Sequence, residues 1–320
     1  MVAQLQQSSK QHGAGWLLAL PVKAVRRLRR ARALIRHSSG RRYGTYTDAE
    51  ALSPDPNASR GLREQAGLTT TYEAGTGRLL VRGARSRFRL SSPTVLYTLR
   101  EVYCDAVYRF HTARDCAVLD IGANVGVSSL YFAEMARVRQ VVSYEPFAPT
   151  YAQLLENIAL NPALAAKITP INAGVARDAA TLSVDYCPSH STIASIKGPL
   201  VVGENDRLVK EAIRLHAAVD VVRDLRRRCP GLDLIAKVDC EGSEYEILEA
   251  WAQAGLLGEI SALLLEWHVR GPAPLTAILE RNGHICFTPG TQDGIAGMLY
   301  AFRQCPPQQP SRTSASSSAP

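Results

Sequence analysis

The sequence has neither a long apolar run nor a paired-cysteine spacing. No stretch approaches the ~20 consecutive apolar residues that a membrane-spanning helix needs. The seven cysteines are odd in number, lie far apart and include no CxxC pair, which argues against a disulfide framework and a zinc site and favours reduced thiols in a cytosolic protein. The chain also shows no internal repeat, and its length favours one catalytic-size domain.

Acidic residues are absent from Lys23 to Arg42, a segment that holds nine lysines and arginines. The rest of the chain is close to electrically neutral, which argues against a broad nucleic-acid-binding face on the main domain. We expect the segment to be a solvated basic helix or tail. The alternative is contact with an anionic membrane surface or a partner, so the predicted location is cytoplasmic, with attachment at the membrane surface left open.

Composition divides the chain into three regions. Residues 1–65 contain the basic segment and a turn-rich stretch around Pro54 and Pro56, and they predict an extension or linker that is partly disordered. Residues 66–305 predict the catalytic domain. Residues 306–320 are almost wholly Pro, Gln, Ser and Ala, a composition too polar to pack, and they predict a disordered tail.

Within the main domain, short apolar runs alternate with helical patterns, which predicts a doubly wound α/β fold with a mainly parallel sheet. The predicted strands are Ala117 to Ile121, Gln140 to Glu145, Ile168 to Asn172, Thr181 to Tyr186, Leu234 to Asp239, Ala262 to Trp267, Ile285 to Thr288 and Met298 to Phe302. The predicted helices are Val127 to Arg137, Thr150 to Asn161, Ser243 to Ala254 and Ala273 to Asn282. The apolar stretch Val219 to Val222 precedes a further charged helix that ends before Pro230, and residues 187–205 predict a lid or substrate loop.

A glycine turn follows the first predicted strand of this domain, in the sequence Asp120-Ile121-Gly122-Ala123-Asn124-Val125-Gly126. Ligands of open α/β sheets bind at the carboxyl ends of strands, where glycines allow close backbone approach. The turn has asparagine where a dinucleotide fingerprint has its middle glycine. That difference disfavours NAD or FAD and favours a cofactor without phosphates.

Carboxylates follow two other strands of the predicted sheet. Glu145 ends the second, about 20 residues beyond the glycine turn, where an acid can accept hydrogen bonds from ribose hydroxyls. Asp239, Glu241 and Glu244 cluster after the strand that ends at Asp239. Asp239 is the first choice for a functional acid. Glu244 is equally well explained by a favourable interaction with the helix N-terminus. Lys237 is explained by pairing with a carboxylate.

These stretches resemble the FkbM family of methyltransferases. The resemblance lies in VLDIGANVGVSSLYFA, VVSYEPFAPTYAQLLENIALNP, LIAKVDCEGSEYEILEAW and LLLEWH, and covers roughly Asp115 to Gly283. Cys240 and Ser243 depart from the residues usual in the family, but no motif carboxylate is missing. The resemblance implies a class I methyltransferase, Rossmann-like, with a seven-stranded sheet, S-adenosylmethionine as cofactor, and O-methylation of a sugar, lipid or polyketide-type natural product.

By the same resemblance, Asp120, Gly122, Asn124 and Gly126 are expected to line the methionine and ribose portions of the cofactor, and Glu145 the ribose hydroxyls. Asp178 is expected near the adenine, with an exposed turn aspartate as the alternative.

Transfer of a methyl group to a hydroxyl needs positioning and benefits from a general base. Asp239, Glu241 and His268 are the candidates, in that order. No ligand spacing specifies a metal, although Asp239 and Glu241 leave a divalent ion open.

Three other functions compete with this hypothesis. The same fold methylates RNA or protein in other enzymes, and the basic segment would then deliver the substrate. A noncatalytic scaffold is disfavoured by the intact motifs, and a dehydrogenase by the missing glycine. The sequence does not identify the acceptor, since we expect its pocket to come from residues 43–115 and 187–218, nor does it define the oligomeric state.

Overall fold

The structure is a computed structural model, and it describes residues 62–91, 95–187, 208–289 and 296–304 of the 320-residue chain. Its helices are α1 (Val95–Leu99, continued by a π-helix, Arg100–Cys104), α2 (Val127–Ala133), α3 (Ala148–Ala159), α4 (Pro162–Ala165), α5 (Ala218–Arg228), α6 (Glu244–Gln253) and α7 (Ala273–Arg281). Its strands are β1 (Thr69–Glu73), β2 (Arg78–Arg82), β3 (Arg87–Leu90), β4 (Cys116–Ile121), β5 (Val138–Tyr144), β6 (Ile168–Ile171), β7 (Gly174–Ala176), β8 (Ala180–Tyr186), β9 (Val209–Ala217), β10 (Asp233–Val238), β11 (Ile260–His268), β12 (His284–Phe287) and β13 (Ala296–Arg303).

A seven-stranded sheet forms the centre of the domain, in the order β12-β13-β11-β10-β4-β5-β6. Strands β11, β10, β4, β5 and β6 are parallel, whereas β13 runs antiparallel to both β11 and β12. Separate apolar clusters cover the two faces of the sheet, since Val118 packs in one cluster and its neighbour Leu119 in the other. The predicted doubly wound, mainly parallel, seven-stranded fold is confirmed.

The two central strands are buried along their whole length. Every residue of β4 and β10 is inaccessible to solvent, as expected for parallel strands covered on both faces. Such strands are normally apolar throughout, yet Asp120 and Lys237 lie in them as direct register partners. Buried charges are stable only when they are paired, so the charges of Asp120 and Lys237 must be compensated at the carboxyl end of the sheet.

An antiparallel sheet of β1, β2 and β3 lies on the N-terminal side of the domain and was not predicted. It attaches to α3 and to the turn that follows this helix. Asn157 Oδ1 in α3 accepts a hydrogen bond from the backbone N–H of Arg89 at 2.7 Å, and Asn161 Oδ1 in the turn accepts one from the N–H of Arg87 at 2.8 Å. β1 has the sequence TTTYE and is largely exposed, so it carries too few apolar residues for a periodic signal.

Some predicted boundaries were wrong. Helix α2 ends at Ala133 and β5 begins at Val138, because the chain turns immediately after Glu134 and enters the sheet earlier than the apolar pattern indicates. The apolar stretch Val219 to Val222 belongs to α5. The preceding strand, β9, went unpredicted because only Ile213 and Leu215 of its nine residues are buried.

Several sequence predictions fall on residues outside the described ranges. These include the basic segment, the tail at residues 306–320 and most of the stretch at 187–205. The boundaries at residues 65 and 305 therefore stay predictions. In the part of the chain that the structure describes, no helix has the length and apolar character needed to cross a membrane.

Candidate active site

The carboxyl ends of β4, β5, β10 and β11 meet at a cavity of about 370 Å³. Of the residues predicted for the site, six line it: Gly122, Asn124, Glu145, Asp239, Glu241 and His268. The four strands carry residues that are far apart in sequence to the same edge of the sheet. This is the edge at which open α/β sheets bind their ligands.

The glycine turn presses against the loop that follows β10. Gly122 has a φ of +77°, and a Cβ built on it would lie 1.8 Å from the backbone oxygen of Asp239. Gly126 has a φ of +91°, and its Cβ would lie 2.5 Å from a methyl carbon of Leu154 in α3. Both positions therefore require glycine, for backbone conformation and for space.

The Glu145 carboxylate is fixed by the backbone on both sides. The N–H of Asn124 donates to its Oε2 and the N–H of Phe147 to its Oε1, each at 3.0 Å. Burial raises the pKa of Glu145 to about 7, even though these two hydrogen bonds favour the ionised form. Each oxygen keeps a further acceptor position, so the carboxylate has the capacity to accept hydrogen bonds from two vicinal hydroxyls.

The wall beside Glu145 is apolar. Phe147, Val175 and Leu215 line it, and Gly174 leaves it without a side chain at one point. Lys237 and His268 also line the cavity, and each is held between two carboxylates. Among the described lining residues no lysine, arginine or histidine is left unpaired, so the cavity offers no free cationic side chain to a pyrophosphate.

Lys237 links the two central strands. Its Nζ lies 3.3 Å from Asp120 Oδ1 and 3.5 Å from Asp239 Oδ2, and donates to the backbone oxygens of Ile121 and Gly122 at 3.1 and 2.5 Å. Burial alone would lower the pKa of Lys237, but the two carboxylates outweigh it and raise the pKa, which keeps the lysine charged. The ammonium group thus holds the glycine turn and Asp239 in one arrangement.

Asp239 is oriented by a residue far away in sequence. The hydroxyl of Tyr108 donates to Asp239 Oδ2 at 2.9 Å, and the Tyr108 ring lies 5.5 Å from Lys237 Nζ. The segment that carries Tyr108 is anchored by Tyr300 of β13, whose hydroxyl donates to the backbone oxygen of Val107 at 2.8 Å. Asp239 therefore presents its carboxylate to the cavity in a fixed direction.

His268 lies between two glutamates. Its Nδ1 donates to Glu244 Oε1 at 2.7 Å, and its Nε2 lies 3.6 Å from Glu241 Oε2. Burial would lower the pKa of His268, but the hydrogen bond to Glu244 and the charge of Glu241 raise it to about 10. A charged imidazole has no free lone pair, so His268 is the poorest of the three candidate bases in this arrangement.

Glu241 extends into the same end of the cavity from a strained backbone, with a φ of +55°. Strain of this kind persists only where the surrounding structure imposes it, and it is common at functional sites. Burial raises the pKa of Glu241 to about 7, while His268 opposes the shift. Glu266 lines the cavity nearby, and burial together with the charges of Asp239 and Glu101 raises its pKa well above the ordinary value.

Comparison with known families bears on this geometry. The methyltransferase FkbM domain matches residues 120–283, which include the glycine turn, Glu145, the Asp239 loop and His268. The chain belongs to the FkbM methyltransferase family. Its cofactor is S-adenosylmethionine.

Two curated proteins are similar to this FkbM chain. Methyltransferase sdnD of Sordaria araneosa is 27% identical over 56% of this chain and 83% of its own length. The AMB antimetabolite synthetase AmbE of Pseudomonas aeruginosa is 29% identical over 74% of this chain, which corresponds to 12% of AmbE. A crystal structure of methyltransferase FkbM from Methylobacillus flagellatus KT aligns at 15% identity with a TM-score of 0.40, covering 66% of this chain and 54% of that one.

Three of the predicted cofactor residues do not reach the cavity of this FkbM domain. Asp120 is fully buried beneath the turn, where its Oδ2 accepts hydrogen bonds from the hydroxyls of Ser128 and Ser129 at 2.7 Å each. Gly126 lies against α3. Asp178 is exposed in the turn between β7 and β8, because the chain leaves the large sheet after β6. This position agrees with the alternative of an exposed turn aspartate.

Two of the lining residues that sequence reasoning missed bear directly on the chemistry of the cavity, Tyr108 and Glu266. Tyr108 lies in an irregular segment with no motif, and nothing in the sequence connects it to Asp239. Glu266 carried a signal that was not used: an acid within the apolar run LLLEWH is costly unless it has a function or a partner. It alternates with His268 along β11, so both side chains lie on the same face of the sheet.

Proposed function

We propose that this FkbM methyltransferase transfers a methyl group from S-adenosylmethionine to a hydroxyl of a small molecule of the sugar, lipid or polyketide type. The observation that carries the proposal is that Asp239 and Glu241 end in the same cavity as Glu145. Carboxylates are suitable bases for a hydroxyl, and Glu145 with the glycine turn provides the adenosyl end.

The chain's own residues have distinct parts in this proposal. Glu145 accepts hydrogen bonds from the ribose hydroxyls, and Gly122 and Asn124 form the adjacent wall. Asp120 and Gly126 lie beneath the glycine turn and hold its backbone in place. The cofactor supplies an electrophilic methyl group on a sulfonium. Positioning the acceptor oxygen in line with that methyl is the main task of the opposite end of the cavity.

Glu241 is the preferred base among the three candidates. The Oδ2 atom of Asp239 is engaged by Tyr108 and lies near Lys237, which suits an orienting acceptor of the substrate's hydrogen bond. Glu241 has His268 beside it, so the cation stabilises the carboxylate without blocking its approach to the cavity. Asp239 and Glu241 both line the part of the cavity in which the acceptor hydroxyl would lose its proton.

The charge of the acceptor end supports a small hydroxyl compound over RNA. Four acids line it, Glu101, Asp239, Glu241 and Glu266, and a polyanionic backbone would be repelled there. One similar protein, AmbE, is by its printed name an antimetabolite synthetase, which also supports a small-molecule product. The cytoplasmic location and the membrane contact of Lys23 to Arg42 stay predictions.

The first test is calorimetric titration of the full chain with S-adenosylhomocysteine, with NAD as the control ligand. We expect saturable binding of the thioether and none of NAD. The absence of thioether binding in a folded sample would remove the donor-site assignment and bring the scaffold hypothesis forward.

The second test is transfer of a labelled methyl group to a panel of sugar, lipid and polyketide-type alcohols, together with an RNA pool and a protein extract. Label in an alcohol, lost in Glu241→Gln, supports the proposal. Label in RNA or protein alone would contradict it.

A further inference from the structure

Three potential metal ligands converge at the acceptor end of the cavity. One carboxylate oxygen of Asp239, one of Glu266 and a ring nitrogen of His268 lie within 4.8 Å of one another. Ligand atoms around an octahedral cation at about 2.1 Å are separated by about 3 to 4.2 Å. Small side-chain movements would therefore bring all three into one coordination shell.

The histidine is oriented as a metal ligand. Its Nδ1–H donates to Glu244 Oε1 at 2.7 Å, so Nε2 is the atom that would coordinate a metal, and the ion would displace the Nε2 proton of the charged imidazole. Glu244 is itself fully buried, and its Oε1 also accepts the N–H groups of Gly242 and Cys240 at 3.0 and 3.3 Å. A histidine whose second nitrogen is held by a carboxylate is the usual arrangement around protein-bound metals. The orientation of His268 by Glu244 is a separate observation from the closeness of Asp239, Glu266 and His268.

The carboxylates of this cluster lack sufficient counter-charge. Glu244 Oε2 is buried without a hydrogen-bond partner in the described part of the chain. Lys237 is shared between Asp120 and Asp239. Carboxylates in such surroundings are stable when a cation neutralises them.

We propose that Asp239, Glu266 and His268 bind a divalent cation of the Mg²⁺ or Mn²⁺ type. Two carboxylates and one imidazole would leave coordination positions open for water or an acceptor hydroxyl. Tyr108 holds Oδ2 of Asp239 and so leaves Oδ1 for the metal. Glu241 lies 3.6 Å from His268 Nε2, so the bound ion would replace the imidazole proton as the positive charge beside the Glu241 carboxylate.

This proposal rests on the proposed function, because the ion would bind and orient the hydroxyl that is methylated. The sequence left a divalent ion open through Asp239 and Glu241, and the proposed ligand set keeps Asp239 and adds Glu266 and His268. Asp239 and Glu266 show no short ligand spacing in the sequence because a helix and most of a strand separate them, and only the parallel pairing of β10 with β11 brings them together.

The test is Mn²⁺ binding by the full chain, freed of metal with a chelator and titrated without donor or acceptor while free Mn²⁺ is followed by electron paramagnetic resonance. We expect one saturable site. Asp239→Asn, Glu266→Gln and Glu244→Gln should each weaken it at least about tenfold. Glu280→Gln changes an exposed carboxylate of α7 and should bind Mn²⁺ like the wild type.

A measurement on the wild type alone covers the case in which a variant does not fold. Spin-echo spectra of the bound Mn²⁺ should show coupling to a histidine nitrogen. The proposal is overturned if a chain that binds S-adenosylhomocysteine shows no saturable Mn²⁺ site, if the nitrogen coupling is absent, or if folded Glu266→Gln binds Mn²⁺ unchanged. Saturable Mn²⁺ binding in a chain that methylates no hydroxyl would retain the metal site and remove the proposed function.

Discussion

The α-carbon of Gly122 faces the backbone oxygen of Asp239 so closely that a Cβ on Gly122 would lie 1.8 Å from that oxygen. The glycine turn and the Asp239 loop therefore meet at the cavity through a backbone contact. Because this contact admits no side chain, the separation of β4 and β10 at their carboxyl ends is set by a glycine.

Gly122→Ala should force these two loops apart. We expect the free energy of unfolding to fall by about 2–4 kcal/mol, from the clash and the positive φ together, and binding of S-adenosylhomocysteine to be lost. Urea unfolding and calorimetry measure the two effects. Gly258→Ala is the control, since a Cβ there meets nothing within 4 Å; equal behaviour of the two variants would contradict the prediction.

Donor binding should depend on pH through Glu145. The pKa of Glu145 is about 7 in the free protein, and only the ionised carboxylate accepts hydrogen bonds at both oxygens. Affinity for S-adenosylhomocysteine should therefore rise about tenfold between pH 6 and pH 8, as the ionised fraction rises. Titration calorimetry across this range measures it.

Two variants control for that pH dependence. Glu145→Gln should bind weakly and without the slope, because its NH₂ group faces a backbone N–H. Asp178→Asn, exposed and away from the cavity, should retain both the affinity and the slope. A slope that persists in Glu145→Gln would assign the titration to another group.

Tyr108→Phe should disturb the orientation of Asp239 and leave binding of the methyl donor unchanged. The variant keeps the ring near Lys237 and removes only the hydroxyl that donates to Asp239. We expect kcat to fall about tenfold or more, in line with the loss of about 1.4 kcal/mol or more of transition-state stabilisation, while S-adenosylhomocysteine binds as in the wild type. Turnover at the wild-type rate would show that Asp239 needs no orientation from Tyr108.

Lys237→Met should strongly destabilise the fold. It leaves Asp120 without its buried cation, and breaking a buried ion pair costs about 3–5 kcal/mol. Urea unfolding measures the loss, and Asp120→Asn added to Lys237→Met should recover part of it. Lys210→Met, which removes an exposed ion pair with Asp185, should cost less than about 1 kcal/mol.

Much of the fold followed from the sequence because its signals are local. The apolar runs of β4, β10 and β11 are continuous, as buried parallel strands require, and the glycine turn and Pro162 mark where elements begin and end. The exposed strands β1 and β9 escaped prediction because partial burial leaves little hydrophobic pattern. Their stability comes from pairing with other strands, and the sheet of β1 is further held through β3 by Asn157 and Asn161.

The sequence by itself determined the family, the cofactor and the acids that end the central strands, because a cofactor turn and its carboxylates lie within short, ordered motifs. Only the tertiary structure decided where the side chains of those acids lie. It buried Asp120 beside Lys237, placed the Tyr108 hydroxyl on Asp239, left Asp178 in solvent and brought Glu266 and His268 to the Asp239 end of the cavity. Strand pairing sets these distances, because it brings together residues that are far apart in the sequence. The spacing of two residues along the chain does not predict such a contact.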